Sequence, residues 1–380
     1  MDFNTTDEQT MLRDTVARYL SDTYSFDNRM KSVHGFASGG KGWNPAVWKA
    51  FAEELGILGA PFAEAHGGLG GGAVENMIVM EEIGRALVIE PYLPTVVIAG
   101  GALTATGGAL ADAVIPEIIA GNAIIAFAYA EPQGRYDLAD LQTTAKKDGA
   151  GYVLSGHKSV VYSAPYATHL LVTARTAGGQ RDQGGVSLFL IPADAKGVSR
   201  RDYPTVDGSS ASEVYFENVA IGADALLGPA DAALPLIEQI VDAATAAICA
   251  EACGVTRVLH ATTLDYAKQR KQFGKPISEF QVLQHRMVDM FMEVEQAVSI
   301  TLMATLKLDT DDRASAVSAA KSKVGKACKF VGQGAVQIHG GIGISNELAV
   351  GHYFKRATMI ESQFGSVDHH LRRYERLVIG

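Results

Sequence analysis

Apolar residues recur at helical spacing through the first third of the chain. Leu12, Val16, Tyr19 and Leu20 follow Thr6 and Gln9, whose spacing makes a capping box that closes a helix's first turn. Asn44 before Pro45 is a second start signal, with Val47, Trp48, Phe51 and Leu55 as the apolar face and Gly56 as the stop. Ala- and Gly-rich helical patterns occupy 73–90 and 94–120. From about Asn122 the period shortens. Apolar runs bounded by turn residues at Ala123–Ala130, Gly151–Ser155, Ser159–Tyr162, His169–Ala174, Val186–Ile191 and Glu213–Phe216 predict strands of a sandwich or barrel. No long helical pattern separates them, which argues against a parallel βαβ sheet. After Gly228 helical spacing returns, predicting helices from about Asp231 to Gln272, from a capping box at Ser278–Gln281 to about Leu308, and from Arg313 to Ile338, with shorter ones beyond. The class is α+β: an N-terminal helical domain over 1–120, a central β-sandwich or barrel over 121–228, and a C-terminal four-helix bundle over 229–380.

Composition narrows the function. A 380-residue chain that is 47% hydrophobic and 20% charged can bury a large core in two or three domains. Its formal charge of −9, without a Lys/Arg-rich run, argues against a nucleic-acid partner. The acidic, polar start and the lack of about 20 uninterrupted apolar residues predict neither export nor membrane insertion. Cys249 and Cys253 lie one helical turn apart in an Ala-rich run, as reduced core thiols do, and so predict a cytoplasmic protein.

Most candidate chemistry fails on context. The glycines of His66–Gly72 (HGGLGGG) form part of a dinucleotide fingerprint, but helices flank them where a strand is required, so a flexible interhelical loop is the better reading. No G-x-S-x-G elbow occurs. His369 and His370 are adjacent and face different ways on a helix, a poor metal pair, and no metal is expected. Two stretches remain: YAKQRKQFGKPI at Tyr266–Ile277 and QIHGGIG at Gln337–Gly343. Arg270 by itself is an ordinary helix C-terminal cation, and Gln281 an ordinary capping residue. Phe273 beside a glycine turn and a guanidinium, however, suits a phosphate-bearing ligand with a flat ring. In the second stretch the paired glycines free backbone N–H groups for close approach, with Gln337 and His339 adding hydrogen-bonding groups at a helix end.

These two motifs, with AEPQGRYDL at Ala130–Leu138 and GHK at Gly156–Lys158, resemble the acyl-CoA dehydrogenases over essentially the whole chain. Within that family the chain is most similar to the smaller subunits of two-gene enzymes such as pimeloyl-CoA dehydrogenase. The resemblance implies an FAD enzyme that dehydrogenates the α,β bond of an acyl-CoA thioester. A Glu takes the α-proton, the β-hydride goes to the flavin, and an electron-transfer flavoprotein reoxidises it. It further implies that Arg270, Gln272, Phe273, Gln281, Gln337, Ile338, His339, Gly340 and Gly341 hold the FAD of a neighbouring subunit in a homo- or hetero-tetramer.

The resemblance breaks where the base belongs. One family position for the Glu falls on Phe364, and the other, 26 residues before Arg270, falls on Ala244. Asp242, Glu251, Glu361 and Asp368 lie nearby but off those positions, and read as surface or helix-terminus charges. The flavin wall that a subunit builds for itself is altered as well. Thr-Glu-Pro becomes Ala130-Glu131-Pro132, followed by bulky Arg135 and Tyr136, and Trp-Ile-Thr becomes Val160, Val161 and Tyr162. The catalytic base is therefore unassigned. Two expectations follow: a subunit without a base that needs a Glu-bearing dehydrogenase partner, or a self-sufficient homo-oligomer with a displaced base such as Asp242 or Glu251. A non-catalytic paralogue or different flavin chemistry on the same fold stays open.

Overall fold

A computed structural model describes residues 5–40 and 42–379; residues 1–4 and 41 of the expected 1–120 segment and residue 380 of the expected 229–380 segment lie outside the described residues. Six α-helices lead: α1 (Asp7–Thr23), α2 (Phe26–Ala37), α3 (Pro45–Glu53), α4 (Ala73–Ala86), α5 (Gly101–Thr106) and α6 (Gly108–Ile119). The capping box forms as expected, with Gln9 N–H donating to Thr6 Oγ1 at 3.1 Å and Thr6 N–H to Gln9 Oε1 at 3.0 Å. The periodic run over 94–120 is not one helix. A π-helical stretch, Leu93–Gly100, leads into α5, and Gly107 at φ 60° breaks the chain before α6.

Eight strands follow: β1 (Ile125–Ala128), β2 (Thr144–Asp148), β3 (Gly151–Tyr162), β4 (His169–Arg175), β5 (Val186–Pro192), β6 (Val198–Pro204), β7 (Ser210–Ile221) and β8 (Leu226–Leu227). They bond into one sheet of order β6-β7-β3-β2-β4-β5-β8, with β1 parallel to β4, and are not divided between two separate sheets. The two expected strands Gly151–Ser155 and Ser159–Tyr162 are one long β3, whose register against β7 slips between Leu154 and Gly156 and again between Lys158 and Val161. Periodicity missed β2 and β6 because they are polar: β6, VSRRDYP, is an edge strand with most of its residues exposed.

Five α-helices close the chain: α7 (Leu234–Gln269), α8 (Gln281–Leu306), α9 (Arg313–His339), α10 (Ala349–Ser362) and α11 (Val367–Val378). Helices α4 and α7 cross backbone to backbone through glycines. A Cβ on Gly84 would lie 2.0 Å from the Glu251 carbonyl, and one on Gly254 would lie 2.0 Å from that of Glu81. This crossing sets α7 deep in the molecule, where Cys249 and Cys253 are buried free thiols, as is Cys328 on α9. Two boundary expectations are corrected. Helix α7 ends at Gln269, because Lys271–Gln272 (β9) pairs with Lys275–Pro276 (β10) in a hairpin. Phe273 (φ 52°) and Gly274 (φ 82°) make its tip, the left-handed pair that a two-residue hairpin turn requires. Ser278 does not cap α8. It sits in a 3-10 turn, and Phe280 is the residue before the helix, with no side-chain cap.

Candidate functional site

The two sequence motifs meet at one end of the helical bundle. Tyr266, one turn before Arg270 on α7, stacks on His339 at the end of α9 with ring centroids 4.3 Å apart, and its hydroxyl donates to the His339 carbonyl at 3.4 Å. His339 is buried and its Nδ1 faces the Ala335 carbonyl at 2.8 Å, so with Ile338 it braces the junction from within. Gln337, Gly340 and Gly341 are exposed beside it, and a Cβ at either glycine would meet only open space. Arg270 is exposed and pairs with no carboxylate among the described residues. Phe273 projects at 93% exposure from the hairpin tip and touches Phe280 edge-on, next to exposed Gln281 at the start of α8. Gln272 is exposed and donates only to the neighbouring Lys271 carbonyl. All nine residues thus share one end of the molecule, the exposed ones facing outward and Ile338 and His339 facing in.

Deeper in the chain lies a cavity of about 340 Å³ between α4, the sheet, α7 and α10. Tyr129, Val160, Tyr162 and Phe364 are among its walls. Phe364, at one of the two positions where the resemblance expects a base, is nearly buried and stacks on Tyr129 with centroids 5.9 Å apart. Val160 sits in the β3 bulge at φ 52°, a conformation that costs a β-branched residue energy, and points 44% exposed into the space. Burial pushes the Tyr162 hydroxyl up to about 12, so it stays neutral. A second, outer groove of about 1000 Å³ shares Tyr129, Arg135, Tyr136 and Phe364 with the cavity and runs to Arg372, Arg373 and Arg376 on α11.

The carboxylates expected to be surface or helix-terminus charges divide. Glu251 and Asp242 are buried, and both are committed to arginines. Glu251 receives Arg356 Nε at 2.5 Å and Nη2 at 2.7 Å, while Arg356 Nη1 reaches Asp207 at 2.8 Å. Arg29 from α2 closes the cluster by donating to the Asp207 carbonyl at 2.6 Å and the Leu87 carbonyl at 2.7 Å. Burial alone would lower Arg356, but its two carboxylates outweigh that and hold it well above its ordinary value. Asp242 accepts from Arg313 at 3.1 Å and Arg373 at 2.5 Å. The α7 position expected to carry a base is Ala244, fully buried. Glu361 receives the Val367 N–H at 3.1 Å, and Asp368 is exposed. No sequence signal marked the Arg356 cluster, because its members come from four separate elements.

The AEP and GHK motifs have a structural meaning. Lys158 and Glu131 form a buried pair at 2.8 Å, and Glu131 also takes the Gln142 and Thr143 N–H groups. Burial brings Lys158 down to about 8 against the pull of Glu131. The pair pins the AEP loop to β3, which positions Tyr129 and Tyr162 on the cavity wall.

Comparison with known proteins agrees with this architecture. Residues 6–122, 126–219 and 234–378 match the N-terminal, middle and C-terminal domain models of the acyl-CoA dehydrogenases. A probable acyl-CoA dehydrogenase of Bacillus subtilis, YngJ, is 30% identical over 100% of this chain and 98% of its own. Among solved structures, a chain of the ChsE4–ChsE5 complex from Mycobacterium tuberculosis superposes with TM-score 0.89 at 26% identity, covering 100% of this chain and 99% of that one. A variant of the Tcur3481–Tcur3483 steroid ACAD gives 0.87 at 28%, covering 98% of each. With all three of its domains matched and a relative at that identity over its full length, the chain belongs to the acyl-CoA dehydrogenases, flavoprotein oxidoreductases acting on CH–CH bonds with FAD as cofactor.

Proposed function

We propose that this chain is the subunit without a base in a hetero-oligomeric acyl-CoA dehydrogenase, lending its bundle end to FAD seated in a partner that supplies the catalytic Glu. The observation that carries this reading is the fate of the carboxylates: both base positions expected from the family are apolar, Phe364 and Ala244, and the two displaced candidates the sequence offers, Glu251 and Asp242, are locked to arginines. A group already held by a bidentate guanidinium is a poor proton acceptor. The outward end keeps the donor set that FAD requires. Arg270 offers a guanidinium for a diphosphate, and Gln272, Phe273, Gln281, Gln337, Gly340 and Gly341 surround it with open approach, while Ile338 and His339 support the loop. When bound, FAD supplies a two-electron acceptor for the β-hydrogen of the thioester.

An apolar strip on α8, with Val282 at 71%, Val288 at 55% and Phe291 at 50% exposure, suits a subunit contact next to that end. The likeness to a chain of the ChsE4–ChsE5 complex supports a two-component assembly. This reading takes an acyl-CoA as substrate, an electron-transfer flavoprotein as acceptor and the cytoplasm as location, with structural units at 1–120, 121–228 and 229–380. Among the described residues no helix is long and apolar enough to cross a membrane.

The test is co-expression with a dehydrogenase-like chain that has Glu at either family position. The complex should purify yellow and reduce an acceptor with acyl-CoA, whereas this chain alone should be pale and inactive. Turnover by the purified homo-oligomer at roughly 1–1000 per second would overturn the proposal and require a displaced base in this chain.

A further inference from the structure

The inner cavity carries hydrogen-bond donors that the protein itself leaves unused. Three guanidiniums line it, and two are spent: Arg29 on the Leu87 and Asp207 carbonyls, Arg356 on Glu251 and Asp207. The third, Arg135, is exposed, and its side chain has no carboxylate or hydrogen-bond partner among the described residues. It lies with Tyr129, Tyr136 and Phe364 at the neck where the cavity meets the outer groove. Its φ of 50° is a conformation that glycine adopts freely and a side chain only at a cost, so the guanidinium is kept at the neck against local strain. Tyr129 at the neck and Tyr162 deeper on the wall add two phenols. Neither hydroxyl has a hydrogen-bond partner among the described residues, and neither is sealed inside the protein as Glu90 Oε2 is, so both open onto the cavity they line. Burial raises both above the ordinary phenol value, so each keeps its proton and can donate. No free carboxylate answers these donors. Glu251 is held by Arg356, while Glu90 takes the Asn44 N–H and the Tyr24 hydroxyl. In the groove, Asp137 takes the Ala139 N–H and Asp242 is held by Arg313 and Arg373. Met80, Ile83, Ile98 and Phe127 give the interior an apolar wall.

We infer that the inner cavity of this chain binds a free organic carboxylate, with the apolar body inside and the carboxylate at the neck on Arg135 and the Tyr129 hydroxyl. A carboxylate brings one negative charge and two acceptor oxygens, which match one guanidinium and one phenol, and bonds between ionised groups are about twice as strong as neutral ones. A thioester carbonyl is neutral and leaves the guanidinium's charge unanswered. A phosphate ester brings nearly two charges to a neck with one free cation. An ammonium is repelled there. At about 340 Å³ the cavity is at the small end of ligand pockets and suits a compact alkyl or aryl body. The inference goes beyond the partner proposal and does not rest on it. There the acyl-CoA reacts beside the partner's base, and here this chain's own cavity takes the free acid.

Calorimetry on the purified full-length chain at neutral pH tests this, with no flavin, partner or turnover required. The probes are octanoate, octanamide, octylamine and octanoyl-CoA, and 3-phenylpropanoate with its amide. An acid should bind at least about tenfold tighter than its own amide, the worth of a charge-assisted bond over a neutral one, with octylamine weakest. Octanoate should also bind tighter than octanoyl-CoA. Preference in the alkyl pair, the aryl pair or both supports the inference and tells which body the wall accepts. Arg135→Gly, which suits the backbone at that position, should weaken the preferred acid about ten- to a hundredfold and its amide by less than about threefold. Arg135→Lys should recover part of the loss. Tyr129→Phe should weaken acid and amide alike, by about three- to tenfold. Thermal melts show that each variant folds. Equal affinity of acid and amide in both series, or octanoyl-CoA binding tighter than octanoate, would overturn the inference on the wild-type chain alone, and so would an acid preference that survives Arg135→Gly. Because this readout is binding by the single chain, its failure leaves the partner proposal standing, and an inactive complex leaves this one standing.

Discussion

The inner cavity and the outward end of the bundle occupy the same fold under opposite constraints. Inside, polar groups are spent on one another: Glu251 and Asp207 on Arg356, Asp242 on Arg313 and Arg373, and Glu131 on Lys158, while Phe364 stacks on Tyr129. Outside, Arg270, Gln337 and the Gly340–Gly341 pair are exposed, Arg270 has no carboxylate partner among the described residues, and Phe273 stands in solvent. An interior whose Glu251, Asp207, Asp242 and Glu131 are each matched to a cation is built to hold its shape. A surface with unmatched donors around open glycines is built to be completed by something else. The contrast separates residues that stabilise this chain from residues that the proposed function assigns to a neighbour.

The largest effect should come from the interior. Arg356→Met leaves Glu251 and Asp207 buried beside a thioether, which should cost about 3–5 kcal/mol of stability in denaturant titration. Replacing Glu251 and Arg356 together by Met should be less damaging than Arg356→Met alone. A loss below about 1 kcal/mol in the single variant would mean that the cluster is not a closed interior pair.

Arg270→Ala should leave the chain's own stability within about 0.5 kcal/mol, as exposed substitutions do. In the assembled complex it should weaken flavin retention about ten- to a hundredfold, the worth of a paired charge-assisted contact to phosphate. Arg270→Lys should recover only part of that. If stability falls while flavin retention holds, the comparison is inverted.

A smaller effect is tied to pH. His370 is buried against the Phe364 carbonyl, and burial, with Lys321 and His369 nearby, pushes its imidazole down to about 3. In the unfolded chain an imidazole takes up a proton below about 6.5. Between those values the unfolded state binds the extra proton, so stability falls on acidification and rises again with pH. His370→Gln should flatten that slope by up to roughly 1.4 kcal/mol per pH unit, read from melting temperatures across the window. An unchanged slope would assign the acid sensitivity to other groups.

The smallest expected change is a gain of nothing. Phe364→Glu places a carboxyl where the resemblance expects a base, but Tyr162 and Val160 still line the same cavity. The purified single-chain protein should therefore remain inactive toward acyl-CoA. Measurable turnover would show that the missing base was the only defect of the interior.

Much of this was legible along the chain because it depends on local spacing. The Thr6–Gln9 cap, the long C-terminal helices, the shift to strands after Asn122 and the Arg270 and Gln337–Gly341 motifs are all patterns within a few residues of one another. Polar β2 and the edge strand β6 were invisible because neither carries an alternating apolar face to report, and the α7 boundary shifted because Phe273–Gly274 favours a hairpin over another helical turn. The sequence by itself also determined that the two positions where the resemblance expects a base carry Phe364 and Ala244, which cannot take a proton in any fold.

Whether another carboxylate could replace them was decided only by tertiary structure. The α4–α7 glycine crossing, the placement of α10 and the β-domain loop at Asp207 bring Glu251 and Arg356 together across 105 residues of sequence. The distance between the two bundle-end motifs collapses in the same way, through Tyr266 against His339. Charge pairing and burial depend on which side chains meet in space, and spacing along a chain fixes that only within one element.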